Sequence, residues 1–320
     1  MRCLLFLVEF SGESSDGVRA ELNALSESYP ESKILWINQK GALIDGDLSN
    51  LSELAFARRI SEVIASYDSI EKFRGSLLPQ GKFYLRRVNL TQPAENYTEG
   101  ELADALLAYG RVTFSNPDFI VLAVYADKWY ISIVRYIRDT KKMNLRRSPL
   151  RPFFSPISLH PKFAKFMVNL SRTRPGDTVL DPFCGTGGIL IEAGLAHRKI
   201  VGNDASLVMV KGARLNLKYF SIQGRIYNAK IQDLKVEEHV DAIISDMPYG
   251  RSSPVIGDIE SLYEASFAKF AEILESGRYC VIIVSDSGLL SYATAFSTVE
   301  TIRVKVHNSL TRYYVVLRRN

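Results

Sequence analysis

The chain has 320 residues, 47% hydrophobic and 23% charged, a composition that excludes disorder and fibrous architectures at a length suited to two or three domains. The formal charge is +5 but unevenly placed: residues 1–80 carry 8 Lys/Arg against 12 Asp/Glu, and residues 81–151 carry 12 against 7. No run approaches the ~20 apolar residues of a spanning helix, and no basic leader or cleavage site frames the apolar N-terminal run, so the expected address is the cytoplasm and not a membrane.

Cys3, Cys184 and Cys280 are scattered, and His160, His197, His239 and His307 stand alone. Without a CxxC or a Cys/His cluster, neither a disulfide framework nor a metal site is expected, and a hydrolytic triad has nothing to rest on.

In chain order, residues 4–10 read as a strand and residues 17–27 as a helix. Strands follow at 33–38 and 42–44, then a helix over about 51–65, whose apolar residues recur at helical spacing. A strand near 69–73 would close a ferredoxin-like α+β unit over residues 1–78. A second unit, residues 79–140, opens with the strand KFYLRRVNL (82–90), continues through a helix at 100–109, and ends in the paired strands FIVLAVYAD and KWYISIVRYI, which meet at Asp127 and Lys128. Lys82, Arg86, Arg87, Arg135 and Arg138 lie on these strands with Tyr84, Tyr130 and Tyr136 interleaved. Cations mixed with aromatics favour RNA, although tyrosines on strands also serve simply to pack.

KKMNLRRSPLR (141–151) holds five cations and no acid. Lys141, Lys142, Arg146 and Arg147 are therefore candidate contacts to a polyanion, while charge alone leaves open a solvated linker over 141–156. From residue 157 to 320 longer helices alternate with wholly apolar strands, TVLDP, RKIVGND, VDAIISDMP and YCVIIVSD, the mark of a parallel sheet covered on both faces. The last strands, 299–306 and 313–317, suit an antiparallel hairpin at the sheet edge.

DPFCGTGG (181–188) follows the first of these strands and opens an apolar helix, where the glycines let backbone N–H groups approach a ligand. It lacks both the dinucleotide fingerprint and the Gly-Lys-Ser/Thr ending of a phosphate loop. The acid at Asp181 suits a ligand with a cationic amine. Asp204 ends the next strand 19 residues after Gly185, a spacing suited to the ribose hydroxyls of an adenosine-containing cofactor, though an acid there also suits a helix cap. Asp233, in AKIQDL, is a candidate for an adenine amino group or a plain turn residue.

SDMPYGR (245–251) ends the fourth apolar strand. An exocyclic base amine is a poor nucleophile because its lone pair is delocalised into the ring. The Asp246 carboxylate and a backbone carbonyl, that of Met247, could accept both its hydrogens and turn the lone pair towards a methyl sulfonium. Pro248 would stiffen the turn, and Tyr249 offers a flat face to a base taken out of its stack.

DPFCGTGG with DMPYG resembles the cofactor and catalytic motifs of amino-group methyltransferases, whose usual form is Asp or Asn, Pro, Pro, Tyr or Phe. Met247 departs from the first of those prolines. RPFFSPISLHPKFAKFMVNLS (151–171) and HNSLTRYYVVLRR (307–319) resemble the tRNA guanosine-10 N2-methyltransferase family of archaea and eukaryotes. VTFSNPDFIVLAVYADKWYISI (112–133) is similar to the core of a THUMP domain, which in this family engages the acceptor end of tRNA. The likeness covers most of the chain, strongest from Arg151 and weakest over residues 1–80.

This resemblance implies an α/β protein: a Rossmann-like seven-stranded methyltransferase domain over 157–320, preceded by the ferredoxin-like and THUMP-type units. It implies S-adenosylmethionine as cofactor and tRNA as partner, with a small activating subunit and the oligomeric state left open. Cofactor contacts are expected at Ser158, Asp181, Phe183, Cys184, Gly185, Thr186, Gly187, Asp204, Ala205, Gln232 and Asp233, and the target site at Asp246, Met247, Pro248 and Tyr249. His160 reads as a packing or capping residue. Three rivals stand beside this reading: an amino methyltransferase acting on ribosomal RNA or DNA, a non-catalytic RNA-binding protein on a degenerate fold, and a nicotinamide oxidoreductase, which the absent dinucleotide fingerprint disfavours.

Overall fold

The computed structural model describes residues 4–69, 72, 78–92, 97–106, 110–156, 158–248, 259–307 and 310–320, with the backbone alone for 305–307 and 310. The chain divides into two units, Met1–Val18 with Tyr29–Arg138, and Arg19–Ser28 with Asp139–Asn320.

The first unit opens with β1 (Leu4–Phe10), α1 (Ser15–Ser28, which passes into the second unit at Arg19), β2 (Lys33–Ile37), β3 (Gly41–Gly46), α2 (Leu48–Ser52) and β4 (Ala57–Tyr67). The strands lie in the order β2-β3-β1-β4 with every neighbour antiparallel, the ferredoxin-like arrangement. One expected element is different. Most of the predicted helix over 51–65 is strand β4, and only the short α2, capped by Asp47 accepting from Ser49 N at 2.7 Å, is helical. β4 pairs with β1 on one side and β8 on the other, and bulges at Ile60/Ser61 and Val63/Ala65 interrupt its alternation. The period-2 signal is blurred there, and β-branched Ile60, Val63 and Ile64 favour the strand. β4 takes the closing place assigned to 69–73, a range that lies partly outside the described residues.

The unit continues with β5 (Lys82–Asn89), α3 (Glu99–Leu106), β6 (Arg111–Val112), β7 (Phe119–Tyr125) and β8 (Trp129–Ile137). β7 and β8 form the expected hairpin, and β5 runs parallel to β7. Because β4 also pairs along β8, strands from 1–78 and 79–140 share one eight-stranded sheet, β2-β3-β1-β4-β8-β7-β5-β6, instead of forming two separate sheets. The pairing satisfies two strand edges that would otherwise stand open. Packing of α3 buries Leu102 and Leu106 against Phe83, Leu85, Val121, Trp129 and Ile131. On the opposite face Leu7, Leu43, Leu90, Leu122, Val124 and Tyr130 form a second core. The sheet curls to close it: Asn38 Nδ2, just past β2, donates to Leu90 O, just past β5, at 2.7 Å.

In the second unit α4 (Thr140–Asn144) and α5 (Pro161–Leu170) precede β9 (Thr178–Asp181), α6 (Gly188–Leu195), β10 (Lys199–Asn203), α7 (Leu207–Tyr219), β11 (Gly224–Tyr227), β12 (Ala242–Asp246), α8 (Ile259–Ile273), β13 (Tyr279–Val284), β14 (Phe296–His307) and β15 (Leu310–Arg319). The seven-stranded sheet has the order β11-β10-β9-β12-β13-β15-β14, parallel except for β15, which is antiparallel to β13 and to β14. The strand order reverses between β9 and β12, so the crevice beyond their C-terminal ends is the place where such a sheet binds ligands.

The stretch 141–156 is not a solvated linker. Asp139 caps α4, accepting from Lys142 N at 2.8 Å, and Arg146 grips the buried Glu192 of α6 through bonds of 2.7 and 2.8 Å. Ser148 and Arg151 are buried. A carboxylate taken out of water needs a cation beside it, and Glu192 takes Arg146 out of the basic run to supply it. No helix among the described residues is long and apolar enough to cross a membrane.

Candidate active site

The site is built on the tips of β9, β10 and β12. β9 is buried throughout and ends at Asp181, after which the loop turns back, Gly187 N donating to Cys184 O at 2.7 Å. Gly185 (φ +50°) and Gly187 (φ +81°) lie in the left-handed region, where a Cβ costs about 1–2 kcal/mol. A Cβ placed on Gly185 would meet nothing within 4 Å, so the loop presents bare backbone to open space, a cradle of the kind a cofactor fills.

Two carboxylates flank this cradle. Asp181, 2% exposed, accepts through Oδ1 from Ser245 Oγ at 2.7 Å and from Phe183 N at 3.2 Å. Burial pushes its carboxyl up to about 7, with the negative charges of Asp246 and Asp204 acting in the same direction. Asp204, just past β10, accepts from Gly185 N through Oδ2 at 3.0 Å and from Ser206 N through Oδ1 at 2.8 Å. Burial raises its carboxyl as well. The cap of α7 is made by Ser206, whose side chain accepts from Met209 N, and not by Asp204. A charged ligand amine at Asp181 would relieve an acid otherwise held near half-ionised at neutral pH.

The structure thus brings together Asp181, Phe183, Cys184, Gly185, Thr186, Gly187, Asp204 and Ala205. Ser158 joins them, its Oγ 2.9 Å from Thr186 Oγ1. Gln232 and Asp233 are exposed on the turn Ile231–Asp233 that follows β11, and no hydrogen bond found among the described residues ties their side chains to the loop. Cys184 is buried, and burial pushes its thiol well above the ordinary value. His160 caps α5, its Nδ1 accepting from Lys162 N at 3.2 Å.

Asp246 closes β12. Its neighbour Ser245 bonds to Asp181, so the tip of β12 lies beside that of β9. Met247 is 1% exposed and packs in the core with Tyr263 and Phe267, while its N–H donates to Ile283 O at 3.1 Å. Tyr263 Oη donates to Pro248 O at 3.3 Å, holding the turn. Tyr314 of β15 is in register with Asp246 through Ile283. Burial and the Asp246 charge both raise the phenols of Tyr263 and Tyr314. Tyr249 lies outside the described residues.

Sequence reasoning missed three polar residues that hold this site: Asn203, Asn216 and Ser245, all buried. Asn203 Nδ2 donates to Pro182 O and to Ala229 O, each at 3.1 Å, bracing the loop from β10. The available signal was a lone polar residue inside an apolar strand or on the apolar face of a helix, which cannot remain without partners.

The predicted RNA contacts divide by availability. Lys82, Arg86, Arg135, Lys141, Lys142 and Arg147 are exposed. Arg87 is held by Asn89 Oδ1 at 3.1 Å and by Tyr97 O, Arg135 pairs with Glu62 at 2.6 Å, and Arg146 with Glu192. Lys82, Tyr84 and Arg86 alternate along β5 with buried Phe83 and Leu85 and so share one face. Phe114, 89% exposed, meets Tyr84 edge-on at 6.2 Å.

Comparison with known proteins adds to this geometry. Residues 149–314 match the family described as an RMKL-like methyltransferase domain. The chain is 35% identical to the tRNA (guanine(10)-N2)-dimethyltransferase of Methanothermobacter thermautotrophicus over 83% of each chain, and 31% identical to that of Pyrococcus abyssi over 98% of this chain and 99% of the other. Among solved structures, TrmN from Thermus thermophilus is 21% identical and aligns over 99% of this chain and 100% of its own with a TM-score of 0.56, a likeness of fold.

Proposed function

The chain belongs to the tRNA (guanine(10)-N2)-dimethyltransferase family, and on that footing we propose that it transfers the methyl group of S-adenosylmethionine to the exocyclic N2 of a guanosine in tRNA, at position 10. The observation that carries this reading is the Asp181–Ser245 bond, which joins the acid of the cofactor loop to the residue before Asp246. In the proposed complex Asp181 receives the cofactor's ammonium, Asp204 its ribose hydroxyls, and the open rim at Gly185 its chain.

The Asp246 carboxylate and the Met247 carbonyl accept the two hydrogens of N2, leaving its lone pair directed at the methyl carbon. The N–C bond forms as the S–C bond breaks. The sulfur keeps its electron pair as the neutral thioether of S-adenosylhomocysteine, and N2 then gives up one proton to Asp246 or to water. Hydrogen bonds that strengthen as positive charge grows on nitrogen favour the transition state over the bound substrate.

Binding of tRNA is assigned to Lys82, Arg86 and Phe114 of the first unit and to Lys141, Lys142 and Arg147 of the second, and the cytoplasm is the compartment this substrate implies. The test is mass spectrometry of nucleosides from tRNA incubated with the purified protein and S-adenosylmethionine. N2-methylguanosine or N2,N2-dimethylguanosine is expected. Methylation of ribosomal RNA or DNA with tRNA left unmodified would reject the assignment.

A further inference from the structure

Ser245 takes no part in the reaction described above, yet it is fully buried after the apolar Ala242, Ile243 and Ile244 of β12 with its hydroxyl aimed at one oxygen of one acid. Both hydrogen bonds found to the Asp181 carboxylate, from Ser245 Oγ and from Phe183 N, end on Oδ1. Oδ2 has no hydrogen bond among the described residues. A carboxylate pinned through one oxygen cannot rotate freely, so the other oxygen is an acceptor of set direction.

We propose that Ser245 is a positioning residue for the cofactor: by holding Oδ1 of Asp181 it keeps Oδ2 turned towards the ammonium group of S-adenosylmethionine and keeps the carboxylate ionised to receive it. The proposal rests on the reading that Asp181 takes that ammonium. The charges acting on Asp181, those of Asp246 and Asp204, are both negative, and the Cys184 thiol beside it is kept protonated by burial. Ionisation of Asp181 therefore leans on its hydrogen bonds, and the Ser245 bond is the shorter of the two. Because only the ionised acid attracts an ammonium, cofactor affinity should fall as the pH drops through the Asp181 titration. Loss of the hydroxyl should start that fall at higher pH.

The experiment is titration calorimetry of S-adenosylhomocysteine, which carries the same ammonium, from about pH 6 to about pH 9. It compares the wild type with Ser245→Ala, Ser245→Cys, Ser245→Thr and Asp181→Asn. Removing a hydrogen bond to a charged group should weaken binding about tenfold at neutral pH in the Ala and Cys variants and raise the pH midpoint by about one unit, while Thr restores both. The Cys variant nearly preserves side-chain volume and carries the test if the Ala variant folds poorly. Weaker binding with an unchanged midpoint, or an unchanged affinity, would overturn the role of Ser245. Full binding with unaltered pH dependence in Asp181→Asn would instead overturn the reading beneath it, and the proposal with it.

Discussion

Asn216 holds Phe153 by both of its backbone groups: Oδ1 accepts from Phe153 N at 2.9 Å, and Nδ2 donates to Phe153 O at 3.0 Å. The same Nδ2 donates to Thr186 O at 2.9 Å. The Phe153 ring sits on Gly212, one turn earlier on α7, where a Cβ would stand 2.1 Å from it. A single fully buried amide thus fastens the segment ahead of α5 to the glycine loop 181–188. Asn216→Ala should leave these backbone groups short of partners and cost about 1–3 kcal/mol, read as a lower Tm together with weaker S-adenosylhomocysteine binding. A variant with an unchanged Tm and unchanged affinity would show that the clamp is not needed.

Gly212→Ala should act on the same clamp from the other side. The added methyl displaces the Phe153 ring, and overpacking of this kind costs about 1–3 kcal/mol. Thermal melts report the loss, and wild-type stability would mean that the ring finds another seat without strain.

The basic run 141–151 separates into two kinds of cation. Arg146→Ala leaves Glu192 buried without its closest cation, so it should destabilise the fold by about 3–5 kcal/mol. The triple change of Lys141, Lys142 and Arg147 to Ala should leave the unfolding free energy within about 0.5 kcal/mol of wild type, weaken tRNA binding and lower its salt dependence. Each lost phosphate contact removes roughly 0.7–0.9 from the slope of log K against log salt. Denaturant melts and filter binding at several salt concentrations distinguish the two effects, and an unchanged slope would remove these three residues from the interface.

Phe114 is too exposed to matter for packing, and Phe114→Ala should leave stability untouched. If its ring stacks on a base, the truncation should weaken tRNA binding about tenfold. Equal affinity of the variant and the wild type would refute the stacking role.

Asp246→Ala should abolish methyl transfer while S-adenosylhomocysteine still binds, because in the proposed reaction this carboxylate acts on the target amine and not on the cofactor. Single-turnover assays alongside calorimetry check both halves, and residual turnover near the wild-type rate would make the strand tip structural.

Much of this was legible in the residues. DPFCGTGG and DMPYG each come at the end of an apolar strand, and the structure sets Asp181 and Asp246 at the ends of the parallel strands β9 and β12. The capping role of His160 was legible because a proline at the first helical position follows it. β4 was misread because a bulged strand paired on both sides carries no clean period of two. The linker reading of 141–156 failed because a count of charges does not reveal that Glu192 lies buried opposite Arg146.

By itself the chain of residues determined the doubly wound sheet, the glycine loop after β9 and the acids at Asp181, Asp204 and Asp246 near the strand ends, since these follow from local periodicity and from short-range turn chemistry. Only the tertiary structure decided that β4 joins β8 into one sheet, which cations remain exposed, and that Ser245, Asn203 and Asn216 hold the site. Those outcomes depend on hydrogen bonds and ion pairs between residues far apart in sequence, and a buried polar group finds its partner only once the chain has folded around it.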